Sequence, residues 1–162
     1  MNKKITFIII ILLLCFINTN EKVKGETGYL NVNYQIYGDD LVDDTIALQN
    51  LINIASNNEK GIYFPSGKYL ISETLYLKPY VSFKGDPENL AILHGANTEY
   101  AVIIKEESNV NVSNIVLENL IFDNIIIHSN LYNHDQWIIR NNVFINGKKG
   151  DLNILPIRPD VN

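Results

Sequence analysis

Cysteine is nearly absent: Cys15 is the one thiol in 162 residues, and it stands inside an apolar N-terminal run. If that run is discarded on export, the folded protein keeps no thiol, which excludes disulfides and cysteine-based metal sites. Basic residues are scarce as well, 13 Lys and Arg against 18 Asp and Glu, for a formal charge of -5. Removing residues 1–25 takes away four Lys and one Glu, which moves the charge from -5 to -8. No Lys/Arg stripe falls on any expected element, so the counterion-release drive toward nucleic acid is missing and no nucleic-acid partner is expected. Only nine Gly and five Pro accompany 46% hydrophobic residues, which excludes collagen-like and disordered chains. The length suits one domain rather than two.

The N-terminus reads as a signal peptide, residues 1–25. Lys3 and Lys4 form a positive start, and residues 5–17 are apolar apart from Thr6. That stretch is short for a membrane span. Val23 and Gly25 suit the positions before a cleavage site, so the expected product begins at Glu26 and is secreted; an uncleaved segment would instead leave a membrane anchor. Leu12, Leu13 and Leu14 precede Cys15 where lipidation wants a small residue, which argues against a lipoprotein.

Residues 26–60 are expected to hold one strand, from the alternation Val32, Tyr34, Ile36, then a turn at Gly38-Asp39-Asp40 and a single helix. Asp43 or Asp44 can cap that helix, because a carboxylate there accepts from the first free amides at the positive dipole end. Ala47, Leu48, Leu51, Ile54 and Ala55 share one face, and the helix ends near Asn57-Asn58. From Gly61 the chain becomes short strand-like runs at 62–64, 69–71, 75–77, 81–83, 91–93 and 101–104, separated by Gly, Pro, Asn and Asp.

An internal repeat organises the rest. Residues 116–124 align without gaps on 138–146, an offset of 22, with Asn119 on Asn141, Phe122 on Phe144 and Asn124 on Asn146. A period in the low twenties built from short strands is that of a solenoid coil. Like side chains then stack, Phe122 on Phe144 inside and Asn124 near Asn146 at a turn, where Asn tolerates left-handed backbone angles. The coils are expected over 61–147, about four of them, with 148–162 as a tail without coil signal.

At this point the chain resembles the pectate-lyase superfamily, specifically the opening segment of right-handed parallel β-helix proteins of the pectate lyase, rhamnogalacturonase and epimerase type. That family begins V-x-D-F-G-A-x-G-D-G-x-x-D-D-T-x-A-I-Q, and from its D onward residues 33–49 keep that register without a gap, through Gly38-Asp39, Asp43-Asp44-Thr45 and Ala47-Leu48-Gln49, while Val32 stands one place from the opening V. Gly61-Ile62-Tyr63-Phe64-Pro65-Ser66-Gly67-Lys68-Tyr69-Leu70-Ile71 is close to its G-x-V-Y-F-P-x-G-x-Y-x-I, in register from Ile62 onward with Gly61 one place nearer. Asn33, Gln35, Ile36 and Asp40 depart from the pattern, so the tight turn is altered. The resemblance implies an all-β, right-handed single-stranded parallel β-helix of few coils with an N-terminal capping α-helix, acting on polysaccharide as a lyase, hydrolase or epimerase. The alternative is a non-catalytic module that binds glycan or self-associates through its open C-terminal coil.

Uronate chemistry needs a base and a cation or Arg beside the carboxylate, and glycoside hydrolysis needs two carboxylates. The zone around the repeat offers that mix: Asp123, Arg140 and Asp135 as candidate catalytic groups, with Tyr132, Trp137, His128 and His134 as candidate substrate contacts. An acidic glycan would use Arg140 or a bridging cation. Asp39, Asp40 and Asp43, with Asp44, could hold Ca²⁺ through oxygen, although helix capping explains the same residues.

Overall fold

The computed structural model describes residues 28–32, 36–97, 101–106, 110, 112–129, 137–147 and 152–154. Short strands stack in register to form three parallel sheets. Sheet one runs β1 (Tyr29–Asn31), β3 (Gly61–Phe64), β6 (Phe83–Gly85), β9 (Val116–Glu118) and β12 (Ile138–Arg140). Sheet two runs β2 (Asp39–Asp43), β4 (Lys68–Ile71), β7 (Ala91–Gly95), β10 (Leu120–Asp123) and β13 (Val143–Ile145). Sheet three runs β5 (Leu75–Leu77), β8 (Val102–Glu106), β11 (Ile125–Ser129) and β14 (Leu152–Ile154). Successive coils visit the three sheets in turn, which is a parallel β-helix, and among the described residues one helix, α1 (Thr45–Asn57), stands at its start.

Alternation along each strand sends every second side chain inward, and parallel register puts those side chains directly over one another. Ile62, Phe83 and Leu117 form one interior column, Tyr69, Leu93, Phe122 and Phe144 a second, and Leu75, Ile104 and Ile127 a third. The expected Phe122–Phe144 stack is present, with ring centroids 5.1 Å apart and planes 21° from parallel. Phe122 is fully buried, whereas Phe144 is only partly covered because β13 ends its sheet.

The corners are made by asparagine. Asn119, Asn124, Asn141 and Asn146 all have φ between 54° and 58°, the left-handed conformation expected of them. One such residue turns β9 into β10, and another turns β10 into β11. Beneath these corners lie Gly85 and Gly95, where a β-carbon would run into the carbonyls of Asn119 and Asn124. The 22-residue offset, seen in the Glu118–Arg140 and Leu120–Asn142 bonds, belongs to the coil with tight asparagine corners. Lower coils carry longer connections, so their vertical neighbours lie 29 and 34 residues apart, as in Asn124–Gly95 and Asn119–Gly85.

Helix α1 occupies the position a third strand would take in the first turn, and buries Leu48, Leu51, Ile52 and Ala55 against β3 and β5. It also satisfies the open edge of β5. The Gln49 side-chain amide donates to the Tyr76 carbonyl at 3.1 Å and accepts from the Tyr76 N–H at 2.8 Å, as a neighbouring peptide unit would. The Thr45 hydroxyl accepts from the Ser72 N–H at 2.9 Å. Thus Asp43, Thr45 and Gln49 of the opening motif fasten the cap to the first coil, which removes an exposed strand edge.

Several expectations shift. The strand expected over 32–36 lies instead at Tyr29–Asn31, with Val32 and Ile36 buried beyond it; residues 33–35 fall outside the described set. The turn at 38–40 leads straight into β2, whose pairing with β4 is interrupted by a register shift between Asp39 and Asp43. Asp40, where the family pattern has glycine, takes φ 61°, a left-handed backbone angle that glycine adopts most readily. The strand expected at 81–83 begins at Phe83, and the coils continue past 147, since β14 pairs with β11. Residues 1–25 lie outside the described residues.

Candidate functional site

Sheet two carries a row of polar side chains on its outer face. His94 lies between Leu93 and Gly95, both buried, so alternation turns its ring outward, and its register partner on β10 is Asp123. His94 Nδ1 and Asp123 Oδ2 are 2.9 Å apart. A carboxylate oxygen accepts, so Nδ1 carries the hydrogen of that bond, and in a singly protonated ring the lone pair then lies at Nε2. Asp123 is 8% exposed, and its other oxygen accepts from Asn146 Nδ2 at 2.7 Å. On the other side, Asp40 Oδ1 lies 4.0 Å from His94 Nε2, and Lys68 Nζ holds Asp40 Oδ2 at 2.8 Å. The result is an imidazole fixed in tautomer and orientation between two carboxylates. That arrangement can take a proton from a ligand hydroxyl at Nε2, the role of a positioned general base.

Sheet one carries a second row. Arg140 Nε donates to Glu118 Oε2 at 2.6 Å, and Lys84 Nζ lies 3.4 Å from Glu118 Oε1 and 5.6 Å from the Tyr29 ring centroid. Burial acts to raise the Glu118 carboxyl, but Arg140 and Lys84 together outweigh it and hold the group below its ordinary value. The Arg140 side chain is 58% exposed.

The expected site residues are therefore divided among three faces. Asp123 belongs to sheet two, Arg140 to sheet one, and His128 to sheet three beside Lys105 and Asn153. A repeat fixes vertical neighbours, but Asp123 and Arg140 occupy different sides of their coils, so they do not form one centre. Trp137 is partly buried: its indole N–H donates to the Val112 carbonyl at 2.8 Å and its ring packs against the core. Tyr132, His134 and Asp135 lie outside the described residues.

The aspartates proposed for Ca²⁺ hold separate partners. Asp39 Oδ1 accepts from the N–H groups of Leu41 and Val42, Asp40 pairs with Lys68, and Asp43 accepts from Thr45 and Ser72. Among the described residues no three His, Cys, Asp or Glu side chains converge on a metal position, and these residues do not fit a six- to eight-oxygen cage. Burial acts to raise Asp43, yet hydrogen bonds from Ser72 and Thr45 prevail and lower it. Asp44, the residue preceding the helix, is fully buried and accepts from the Tyr37 N–H at 3.0 Å instead of capping. Burial pushes its carboxyl above the usual range.

His94 is the residue that sequence reasoning missed. Its partner lies 29 residues on, an offset hidden by the longer connection between β7 and β10, while only the 22-residue repeat was visible. The Leu93-His94-Gly95 alternation, an outward histidine in a strand, was the available signal.

Residues 29–101 match the family model described as "Rhamnogalacturonase A/epimerase, pectate lyase-like". This segment is pectate-lyase-like, and it contains Asp40, Lys68 and His94 but not Asp123 or Arg140. Over 67 residues the chain is 36% identical to the plasmin and fibronectin-binding protein A of Streptococcus pneumoniae (strain ATCC BAA-255 / R6), covering 40% of this chain and 9% of that protein. The chain thus spans only a small part of that relative's length. No solved structure matches.

Proposed function

We propose that this pectate-lyase-like β-helix is an exported module directed at polysaccharide, with the sheet-two row as its working surface. The observation that carries the reading is the His94–Asp123 pair, braced by Asn146 and facing Asp40 across 4.0 Å, on a fold of the rhamnogalacturonase and epimerase type. In this reading His94 accepts a proton from a sugar hydroxyl or from the carbon next to a uronate, and Asp123 orients the ring. Arg140 and Lys84 on the neighbouring sheet supply cationic contacts for an acidic polymer. The apolar run at residues 5–17 directs export.

The test is incubation of the full chain with pectate, rhamnogalacturonan and alginate, reading both retention on the polymer and new reducing or unsaturated ends. Retention or turnover that His94→Gln removes supports the reading, and absence of both on every polymer refutes it.

A second reading is attachment to host proteins, favoured by the likeness to the streptococcal protein named for plasmin and fibronectin. Surface binding of purified plasmin and fibronectin to the chain tests it. Self-association is proposed through the exposed Ile138, Val143 and Ile145 on β12 and β13, the last strands of sheets one and two among the described residues. A monomer by sedimentation velocity at high concentration rejects it.

A further inference from the structure

Sheet three holds a cavity of about 350 Å³ between the start of β5 and the start of β8. One wall is Ser72, Glu73, Thr74 and Tyr76, and residues 101–103 form the other. The volume lies in the range of small-molecule sites, about 300–1,000 Å³. Its lining divides by chemistry. Ala101 and Val102 are buried apolar lining, while Glu73 contributes a carboxylate and Ser72 and Thr74 two hydroxyls.

The polar wall is held rigid from behind. Gln49 fixes both backbone groups of Tyr76, Thr45 fixes the Ser72 N–H, and the Ser72 hydroxyl donates to Asp43. The Tyr76 side chain is partly open, and the Lys105 ammonium lies 5.3 Å from its ring centroid. A preorganised wall loses little freedom when a ligand settles on it.

We propose that this cavity is a subsite for a single sugar residue bearing two adjacent hydroxyls. The two oxygens of the Glu73 carboxylate accept from the diol, and the apolar face of the sugar ring lies against Tyr76 and the apolar lining. A carboxylate accepts two such donors at once, and it repels an anionic substituent, so the diol rather than a uronate acid group enters here. The subsite rests on the polysaccharide reading above and is separate from the sheet-two row.

Affinity electrophoresis of the full chain in gels cast with rhamnogalacturonan, pectate or hydroxyethyl cellulose tests it, alongside the same polymers oxidised with periodate, which cleaves adjacent diols. Glu73→Gln and Tyr76→Leu are each expected to weaken retardation about tenfold, as is oxidation of the polymer. Glu59→Gln, at the far end of α1, serves as a control, and thermal melting shows that all variants fold. Retardation that survives both substitutions, or that survives oxidation, overturns the subsite while leaving the polysaccharide reading intact. No retardation of the unmodified chain by any polymer overturns the polysaccharide reading and the subsite with it.

Discussion

Replacing Asn124 tests the stacking of the coils at its most demanding corner. The residue is 7% exposed, has φ 54°, and its Nδ2 donates to the carbonyls of Gly95 and Asn97 in the coil below. Asn124→Ala leaves both carbonyls without that donor, at roughly 1–3 kcal/mol for each acceptor that stays buried. It also places a β-carbon residue without a local hydrogen bond in the left-handed region, at roughly 1–2 kcal/mol. Together these give a loss of about 4 kcal/mol. Asn124→Gly removes the same donor but tolerates the backbone angle, so it should recover about 1 kcal/mol relative to alanine. Equilibrium urea unfolding of the full chain, followed by Trp137 fluorescence, reads both. Alanine within about 0.5 kcal/mol of the parent, or glycine no better than alanine, would refute the reasoning, since the corner would then depend on neither the hydrogen bonds nor the angle.

Other perturbations probe separate links. Gln49→Ala frees the N–H and C=O of Tyr76 at the edge of β5, and should cost about 1–2 kcal/mol in the same unfolding assay. Gly85→Ala forces a methyl into the Asn119 carbonyl, which cannot swing aside as a side chain would, and should lower stability by about 1–3 kcal/mol. Glu118 has its folded value lowered by Arg140 and Lys84, so its contribution is fully present above the unfolded value of 4.5 and fades as pH falls through the lower folded value. The gap between the parent and Glu118→Gln, below about 1 kcal/mol because Arg140 is exposed, should therefore shrink between pH 6 and pH 3. Asp44 runs the other way: its folded value is raised, so its contribution is fully present below the unfolded value of 3.8 and is lost as pH rises through the higher folded value, and Asp44→Asn should flatten that loss.

The vertical order of the fold was legible from sequence because stacking leaves a repeat. Phe122 over Phe144 and the left-handed asparagines followed from one 22-residue alignment, and Leu48, Leu51 and Ala55 marked the buried face of the cap. The horizontal order was not legible. Nothing in a repeat says on which side of a coil Asp123 or Arg140 stands, because one asparagine corner moves the chain from one sheet to the next. His94 was hidden for a related reason: surface connections lengthen a coil without disturbing its strands, so the residue that meets Asp123 lies at an unrepeated distance. Either Asp43 or Asp44 was open as the helix cap, and burial separates them: the buried Asp44 accepts from the Tyr37 N–H while the exposed Asp43 accepts from the Thr45 N–H at the start of the helix. Trp137 has the composition of a sugar platform, but its indole N–H is already bonded to Val112.

The most direct measurement is a chemical-shift map of isotope-labelled chain titrated with oligosaccharides released from rhamnogalacturonan and pectate. Localised shifts at His94, Asp123 and Asn146, with Nδ1 of His94 protonated in the free protein, are the expected result. Shifts absent with every oligosaccharide would contradict the assignment of this β-helix to polysaccharide, and shifts confined to faces without the sheet-two row would contradict that row as its working surface.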